Sequence, residues 1–483
     1  MPNTRDSLTE SATGIEKVET QIEGLDEILH GGLPKGRVTL IGGGPGTGKS
    51  LIGLEFLYRG ALSGNPGIYL SFEETAENIR QNTRSFGWDL ASLEAAGKLF
   101  LMEGQMEPEM VISGNFDLRG MLAILEGKAE EMGAERIVID ALDVLMGVFK
   151  NPDQEKQQIL ALHKWLLKQE VTAILTTKNV KVPEVSSPYD YLDFMVDCVI
   201  YLDQRISEQV NTKRFQVIKY RGSGYGSNEY PFLMTDNGIF FSPISNVSLK
   251  YAPPVQRVSS GNPYFDEALA GGYLKGTCIL ISGESGTGKT AMASTFAGSA
   301  CENGQKTLYV NYEESREGML SGMRSVGIDL RPLIQKDLLW ILSVMPESMG
   351  IEQHLYHAIA AIRRFQPEHL VMDAMSAVKR IAGEQASFDF IVRLVHFCKE
   401  KGITVILINQ VKSGLGDQDI SGIGVSSIVD TIITMHYRDV GNETARRLQI
   451  KKSRGSNHSN RYHNYRLTDN GIFFDTRNPK QRI

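Results

Sequence analysis

The stretch GGPGTGKS at Gly43–Ser50 decides the fold of the first half of this chain, and GESGTGKT at Gly283–Thr290 decides that of the second. Both fit the pattern G-x-x-x-x-G-K-[ST] of a phosphate-binding loop. Each follows an apolar run typical of a buried strand and leads into a segment with helical spacing, which is the context that such a loop requires. A single match can be a chance glycine-rich turn, but two matches in register make that alternative much weaker.

The residues of these two loops predict a site for ATP and Mg²⁺ in each half. Glycines let several backbone N–H groups converge on phosphate oxygens at the positive end of a helix dipole. We expect Lys49 and Lys289 to reach the β and γ phosphates, and the hydroxyls of Ser50 and Thr290 to hold Mg²⁺. The predicted nucleotide contacts of the loops also include Gly46, Thr47, Gly48, Leu51, Ser285, Gly286, Thr287, Gly288 and Ala291.

The second half of the chain repeats the first. Lys49 and Lys289 lie 240 positions apart, whereas the later pair Asp140 and Asp373 lies 233 positions apart. A repeat of this length is a domain rather than one unit of a solenoid. The predicted organisation is a disordered N-terminus at 1–14, a first domain at 15–246, a linker at 247–256, a second domain at 257–474 and a short tail at 475–483.

Apolar runs alternate with segments of helical spacing in each half. In the first half RVTLIGG, GIYLSFEE, RIVID and TAILTTK predict strands, and Thr75 is the predicted N-cap of the helix after the second strand. CVIYLDQ, RFQVIKYRG and the turn at TDNG predict antiparallel edge strands. The fold class is therefore α/β, with two tandem RecA-like P-loop NTPase domains, each a mostly parallel sheet flanked by helices with antiparallel edge strands.

An aspartate ends one apolar run in each half. Asp140 closes RIVID and Asp373 closes HLVMD. A carboxylate at the end of a strand next to the loop strand orients Mg²⁺ and its waters, so both are predicted metal residues. The alternative is a helix N-cap, because aspartate is common at strand-to-helix turns.

Two adjacent glutamates follow the second predicted strand of each half, Glu73 and Glu74 in the first and Glu313 and Glu314 in the second. A carboxylate at this place can orient the attacking water or hydroxyl or accept its proton, so all four are predicted to be catalytic. If the pair continues the strand, its two side chains point to opposite faces and only one meets the γ-phosphate. The alternative is acidic capping of the next helix.

Each half also ends with two cations spaced two residues apart, Lys219 and Arg221 in KYRG and Lys452 and Arg454 in KSRG. Residues two apart on a strand share one face. In rings of RecA-type domains the nucleotide lies between subunits, and such cations reach the neighbour's phosphates as an arginine finger does. The alternative is a solvated basic edge strand that discourages aggregation.

Composition excludes several other classes of protein. Apolar residues make up 41% of the chain and charged residues 22%, with a net charge of −6, which is typical of a globular protein and does not indicate nucleic-acid binding. The four cysteines are isolated, which predicts buried thiols rather than disulfides or a zinc site. No run approaches the ~18 apolar residues of a membrane span. We therefore expect a soluble, cytoplasmic protein with neither a membrane nor a nucleic-acid partner.

Over nearly its whole length the chain resembles the KaiC family of circadian clock ATPases and autokinases. Besides the two loops and the KxRGS motifs, the resemblance rests on SFEET at Ser71–Thr75, RSFGWDL at Arg84–Leu90, YEES at Tyr312–Ser315 and PES at Pro346–Ser348. It implies a homohexamer of two stacked rings with nucleotide between subunits. It also implies ATP hydrolysis in the first ring and serine/threonine autokinase activity across the subunit boundary in the second.

The resemblance implies further functional residues. The nucleotide contacts are Ser85, Lys219, Tyr220, Arg221, Ser223, Tyr225, Thr235 and Asp236 in the first half, and Arg446, Lys452, Ser453, Arg454, Ser456 and His458 in the second. Glu313 joins the predicted metal residues. Ser426 and Ser427 match the adjacent hydroxyls that the family phosphorylates, and Ser421 matches a third hydroxyl in that loop.

The chain departs from the family pattern in four places. The phosphorylated pair is Ser-Ser instead of Ser-Thr, Tyr225 replaces a histidine, Val326 replaces a tryptophan near the second base, and the chain ends soon after TDNGIFF. Two serines still offer two hydroxyls. The short tail argues against regulation by the usual clock activator, whereas a KaiB-like or other signalling partner is still expected.

Two other function classes compete with an autokinase. A RecA- or RadA-like DNA-dependent ATPase is disfavoured by the acidic pI of about 5.9, the lack of a zinc motif and the lack of an evident basic, aromatic DNA-binding loop. An ATP-gated signalling scaffold without kinase activity is the other alternative. Replacing Glu313 and Glu314 by glutamine distinguishes the two, because an autokinase would lose its phosphoserine and a scaffold would have none to lose.

Overall fold

The computed structural model describes residues 14–104, 118–149, 151–178, 190–207, 210–242, 255–411, 424, 427–440 and 443–475. Nearly all of the predicted disordered N-terminus, most of the predicted linker and nearly all of the predicted tail lie outside these residues. The chain divides into two compact units, Met1–Asn246 and Val247–Ile483. Each unit carries one of the two glycine-rich loops.

The first unit is built on a nine-stranded sheet with a separate two-stranded ribbon. Its strands are β1 (Lys17–Val18), β2 (Leu33–Pro34), β3 (Val38–Gly43), β4 (Gly67–Ser71), β5 (Leu99–Glu103), β6 (Arg136–Asp140), β7 (Thr172–Thr177), β8 (Cys198–Ser207), β9 (Val210–Tyr220), β10 (Glu229–Thr235) and β11 (Gly238–Phe241). Its helices are α1 (Leu25–Ile28), α2 (Lys49–Leu62), α3 (Ala76–Thr83), α4 (Leu90–Ala95), α5 (Leu118–Met132), α6 (Leu142–Met146), α7 (Pro152–Lys168) and α8 (Asp190–Met195).

The second unit repeats this plan. Its strands are β12 (Arg257–Val258), β13 (Tyr273–Leu274), β14 (Cys278–Gly283), β15 (Thr307–Asn311), β16 (Leu339–Ser343), β17 (His369–Asp373), β18 (Thr404–Gln410), β19 (Thr431–Val440), β20 (Glu443–Ser453), β21 (Tyr462–Thr468) and β22 (Gly471–Phe474). Its helices are α9 (Pro263–Ala268), α10 (Lys289–Glu302), α11 (Arg316–Ser325), α12 (Arg331–Gln335), α13 (Ile351–Phe365) and α14 (Met375–Glu400), the last interrupted at Gly383.

The two large sheets have the same strand order. It is β11-β10-β9-β8-β3-β7-β6-β4-β5 in the first unit and β22-β21-β20-β19-β14-β18-β17-β15-β16 in the second. The strands from β8 to β5 are parallel, and β9, β10 and β11 extend the sheet by antiparallel pairing. The predicted fold class is therefore confirmed. One detail differs, because the predicted antiparallel strand CVIYLDQ begins β8, which pairs in parallel with β3.

Alternate residues of the central strands enter two separate apolar cores. Along β6, Val138 packs into one cluster while Ile137 and Ile139 pack into the other. Both faces are buried because helices cover both sides of the sheet, which explains why the parallel strands are continuous apolar runs. Strand β5, which was not predicted from the sequence, forms the far edge beside β4.

Local predictions at the helix ends and the thiols are confirmed. Thr75 is the N-cap of α3, where its side chain accepts a hydrogen bond from the Asn78 N–H at 3.3 Å. All four cysteines are free and buried. Burial raises the pKa of the Cys198 thiol to about 12, so this thiol is protonated at neutral pH. Among the described residues, no helix combines the length and apolar composition that a membrane crossing needs.

A buried arginine forces a glycine into helix α2. Arg136 is 2% exposed, lies over the Phe56 ring at 4.3 Å and donates to the Phe56 carbonyl at 2.8 Å. A Cβ on Gly60 would lie 2.6 Å from Arg136 Nε. At the equivalent places the second unit has Ala300 and His369. Histidine is a smaller side chain than arginine, so the helix of the second unit has room for alanine where the first unit has glycine.

We expect Gly60→Ala to lower the free energy of unfolding of the first unit by about 1–3 kcal/mol, because its methyl group displaces a buried guanidinium. Gly127→Ala is the control, since a Cβ on Gly127 in α5 would meet no atom within 4 Å and alanine favours helix by ~0.5–1 kcal/mol. Hydrogen–deuterium exchange of α2 and β6 in the full chain measures both. Equal exchange in Gly60→Ala and the parent would contradict this packing argument.

Candidate functional site

The first glycine-rich loop joins the end of β3 to the start of α2. Its backbone is left-handed at Gly46 and Gly48, with φ of 70° and 103°. Thr47 is buried inside the turn, where its hydroxyl donates to the Gly44 carbonyl at 2.8 Å. Only glycine adopts this sequence of angles without strain, so the local chemistry of the motif produces the turn.

The Lys49 side chain is folded back onto this loop. Its ammonium donates to the carbonyls of Gly43 and Gly44 at 2.7 and 2.8 Å. Burial lowers the pKa of Lys49, and the nearby carboxylates of Asp140 and Glu73 oppose that shift. A buried cation bonded to neutral carbonyls is suited to exchange them for an anion.

The second loop has the same construction. Gly286 and Gly288 have φ of 75° and 95°, and the hydroxyl of buried Thr287 donates to the Glu284 carbonyl at 2.8 Å. Lys289 Nζ donates to that same carbonyl at 2.8 Å. The other predicted loop contacts lie in the turn or at the start of the following helix, namely Ser50, Leu51, Ser285, Thr290 and Ala291.

Asp373 has the features of a metal ligand in the second unit. Its Oδ2 accepts hydrogen bonds from the hydroxyls of Thr290 at 2.8 Å and Tyr309 at 2.9 Å, while the buried Oδ1 has no hydrogen-bond partner among the described residues. Burial raises the pKa of Asp373 to about 6. This oxygen is buried and lies near the Thr290 hydroxyl, which is predicted to hold Mg²⁺. An oxygen of this kind is a suitable ligand for a hard divalent cation.

Asp140 occupies the same place in the first unit. Its carboxylate accepts hydrogen bonds from Tyr69 at 2.6 Å and from Thr176. The N-cap alternative is wrong for both aspartates, because Ala141 and Ala374 hold the N-cap positions of the following helices. The predicted adjacency of strands is also wrong. In each sheet another strand, β7 or β18, separates the aspartate strand from the loop strand.

The glutamate pair of the first unit lies beyond its strand. Strand β4 ends at Ser71, so Glu73 and Glu74 occupy a turn and not the strand geometry considered from the sequence. Glu73 forms an ion pair with Lys178, and the Glu74 carboxylate accepts a hydrogen bond from Asn82 at 2.9 Å. The side chain that caps α3 is that of Thr75, directly after the glutamate pair.

The glutamate pair of the second unit is placed in the same way. The N–H groups of Glu313 and Glu314 donate to the Asn311 side chain at 3.0 and 3.2 Å, and Ser315 caps α11. Both glutamates line a cavity of about 770 Å³. The negative charge of Glu73 raises the pKa of Lys49, and that of Glu313 raises the pKa of Lys289. The first glutamate of each pair is therefore the one near the loop lysine.

The cation pairs near the end of each unit bond to the segment before β8 or β19. Lys219 Nζ donates to the Val196 carbonyl at 2.7 Å, and Arg221 donates to the Phe194 carbonyl at 2.7 Å. Lys452 bonds the Val429 carbonyl in the same way at 2.7 Å. Strand β9 pairs with β10 only over Lys213–Gln216, and β20 pairs with β21 only over Arg446–Gln449, so the cations lie beyond the stretch that has a neighbour on that side.

Three of the remaining predicted contacts of the first unit bond within their own turns. Ser85 donates to the Asn82 carbonyl, Ser223 to that of Gly224 and Thr235 to that of Gly238. The hydroxyl of buried Tyr220 donates to the Gly32 carbonyl at 2.7 Å, and that of Tyr225 donates to the Ile218 carbonyl at 3.3 Å. Asp236 is exposed in the turn after β10.

In the second unit one of the further predicted contacts reaches the glycine-rich loop. Arg446 Nε donates to the Gly286 carbonyl at 3.2 Å. Ser456 accepts a hydrogen bond from Arg257, and Ser453 lies 3.5 Å from the Thr431 hydroxyl. Arg454 is exposed and His458 partly exposed. Ser427, at the start of the segment before β19, is exposed, while Ser426 and Ser421 lie outside the described residues.

Three charged residues at the first site were missed from the sequence. Lys213 donates to the Gly46 carbonyl, as Arg446 does to Gly286, and the 233-residue offset between the two could have revealed it. Lys178 pairs with Glu73, and Asp143 accepts hydrogen bonds from the Lys178 N–H. No repeat signal marks these last two residues, because the second unit has Gln410 and Ser376 in their places.

Comparison with known proteins agrees with this arrangement. A family model described as "ATPase: KaiC" matches residues 18–246 and again 258–478. The chain is 37% identical to the circadian clock protein KaiC2 of Synechocystis sp., covering 94% of this chain and 81% of that protein. It is 34% identical to the circadian clock oscillator protein KaiC of Synechococcus elongatus and to that of Acaryochloris marina, in both cases over 95% of this chain and 88% of the relative.

We expect Gly48→Ala to abolish nucleotide binding at the first loop. The new Cβ would lie 2.4 Å from the flexible end of Met234, and alanine is strained at a φ of 103° in the residue before the loop lysine, so the backbone of the turn has to shift. Gly64→Ala is the control, because it places the same methyl group at a φ of 90° in open space after α2. Counting bound ATP per chain by equilibrium dialysis measures the effect. Gly48→Ala should lose one of the two nucleotides and Gly64→Ala neither, and an unchanged count in Gly48→Ala would contradict the argument.

Proposed function

The chain belongs to the KaiC ATPase family, and we propose that it hydrolyses ATP and phosphorylates its own serines in the second unit. One observation carries the proposal. In both units a buried loop lysine, a strand-end aspartate and a glutamate pair meet at the carboxyl edge of one parallel sheet. Phosphoryl transfer needs positioning and charge stabilisation more than covalent chemistry, and this edge supplies both.

Binding of ATP would use groups that are already in place. The ammonium groups of Lys49 and Lys289 would exchange loop carbonyls for the β and γ phosphates. Bound Mg²⁺ would neutralise developing charge on the phosphate oxygens. In the second unit Thr290, Asp373 and Glu313 would hold the metal, and in the first unit Ser50 and Asp140 would do so. The Thr290–Asp373 hydrogen bond at 2.8 Å supports this grouping.

The first glutamate of each pair is proposed as the proton acceptor, and Glu74 and Glu314 as the catalytic residues that support it. Glu73 would take a proton from a water molecule, whose oxygen bonds to the γ-phosphorus as the bond to the ADP oxygen breaks. Glu313 would take the proton of a serine hydroxyl in the same kind of step, which leaves phosphoserine and ADP. The open cavity at Glu313 and Glu314 supports entry of a hydroxyl larger than water.

The acceptor serines are proposed to be Ser426 and Ser427. Ser427 is exposed, as an acceptor that reaches another subunit has to be. Lys219, Arg221, Lys452 and Arg454 are proposed to complete the nucleotide sites of the neighbouring subunit in a homohexamer. The names of the relatives support a signalling role, as in a circadian clock. A cytoplasmic location and a KaiB-like or other protein partner are part of the same proposal.

We expect the full chain with Mg-ATP to release ADP and to carry phosphate on Ser426 or Ser427. The double variant Glu313→Gln, Glu314→Gln should lose at least ~100-fold in the rate of phosphoserine formation, because the proton acceptor is neutralised while its shape is kept. Phosphopeptide mapping and ADP release measure the two reactions.

The matched control is the same change in the first unit, Glu73→Gln with Glu74→Gln. This variant should lower ADP release and keep phosphoserine. Ser426→Ala with Ser427→Ala identifies the acceptor. Phosphoserine that persists in the Glu313 and Glu314 variant would contradict the kinase assignment, and ADP release from a parent without phosphoserine would leave an ATPase or a scaffold alone.

The assembly has its own test. Light scattering of the full chain with Mg-ATP should give the mass of six chains, because the cation pairs are assigned to a neighbour's nucleotide. Lys219→Gln should lower ADP release by the assembly, because every nucleotide at a first-unit loop then loses a contact from the neighbouring chain. A monomer that is loaded with ATP and fully active would contradict the cross-subunit sites.

A further inference from the structure

Lys178 forms an ion pair with the proposed catalytic acid of the first unit. Its ammonium contacts the Glu73 carboxylate, and the two side chains are 53% and 33% exposed. Lys178 follows β7 directly, and β7 lies between the loop strand β3 and the aspartate strand β6. Since all three strands are parallel, the residue after β7 lies at the edge of the sheet where the phosphates are expected.

The backbone of Lys178 is fixed by a second acid. The Lys178 N–H donates to both carboxylate oxygens of Asp143, at 2.9 and 2.8 Å, and the Thr177 hydroxyl donates to Asp143 at 2.6 Å. Asp143 therefore holds the end of β7 while leaving the Lys178 ammonium to Glu73. An ordinary exposed ion pair is worth little and needs no such anchor.

The positive charge of Lys178 affects the pKa of the loop lysine, Lys49. Burial is the main reason that the pKa of Lys49 is lowered, and Lys178 lowers it further, whereas Asp140, Asp143 and Glu73 raise it. Lys49, bonded to loop carbonyls, and Lys178, paired with Glu73, are thus two cations near the place where the γ-phosphate is proposed to bind.

The second unit has neither Lys178 nor Asp143, because Gln410 and Ser376 stand in their places. Strand pairing places Thr177 opposite Gly42 and Asn409 opposite Ser282, so Lys178 and Gln410 are equivalent. Gln410 is neutral and lines the cavity at Glu313 and Glu314. The chain itself therefore contains a natural comparison for the effect of a cation at this place.

We propose that Lys178 is a specificity-determining residue that distinguishes ATP from ADP at the first site, an inference that rests on the proposed function. Without nucleotide its ammonium holds the Glu73 carboxylate. With ATP bound, the ammonium donates to a γ-phosphate oxygen, because the γ-phosphate carries more negative charge than a carboxylate, and Glu73 is released to accept the proton of the attacking water. ADP offers no γ-phosphate, so Lys178 stays with Glu73.

The test compares ATP and ADP affinity at the first site of the full chain, in a Lys289→Ala background that silences the second loop. We expect Lys178→Gln, which copies the second unit, to weaken ATP binding about tenfold and leave ADP binding unchanged, because one charge-assisted hydrogen bond is lost. Lys178→Arg should restore most of the preference for ATP. Lys168→Gln is the control, since Lys168 forms an exposed ion pair with Glu126 at the end of α7.

The outcomes separate this inference from the proposed function. If the parent binds and hydrolyses ATP but Lys178→Gln keeps the same ratio of ATP to ADP affinity, the inference fails and the proposed function stands. An equal loss of ATP and ADP affinity would also overturn it, because that result indicates a structural role. If the parent binds no ATP at the first loop, the proposed function fails as well.

Discussion

A single backbone constraint organises each unit. The glycine-rich turn reverses the chain from a buried strand into a helix through left-handed angles at Gly46 and Gly48, and at Gly286 and Gly288. This geometry aims the first N–H groups of the helix at one point and buries the following lysine against its own loop carbonyls. The parallel strands then end around that point, so the acids that follow them are gathered by topology and not by proximity in sequence.

The two units share this frame but differ in the charges placed on it. In the first unit the glutamate nearest the loop is neutralised by Lys178, whose backbone Asp143 anchors. In the second unit Gln410 takes that place and the glutamates face an open cavity. An acid paired with a cation and an acid that lines a cavity of about 770 Å³ are therefore different surroundings for a nucleophile. This contrast supports the proposal that the first site hydrolyses ATP and the second phosphorylates serine.

Features set by local chemistry could be predicted from the sequence. The loops, the Thr75 cap and the fold class depend on short motifs and on the alternation of strands and helices. Features set by strand order could not be predicted. Strand β7 follows β6 in the sequence but lies between β3 and β6 in the sheet, so the expected adjacency of the aspartate strand and the loop strand was wrong. The Lys178–Glu73 pair joins residues that are distant in sequence and has no counterpart in the repeat. The roles assigned to Lys219, Arg221, Ser426 and Ser427 stay predictions.

The central claim is that each loop lysine bonds to carbonyls of its own loop and exchanges them for phosphate oxygens when ATP binds. The most direct measurement is an experimental structure of the full chain with Mg²⁺ and a non-hydrolysable ATP analogue. The account predicts nucleotide at both loops, with Lys49 Nζ moved from the carbonyls of Gly43 and Gly44 onto phosphate oxygens, and Lys289 Nζ moved likewise from Glu284. Empty loops, or bound nucleotide with both lysines still on the carbonyls, would contradict it.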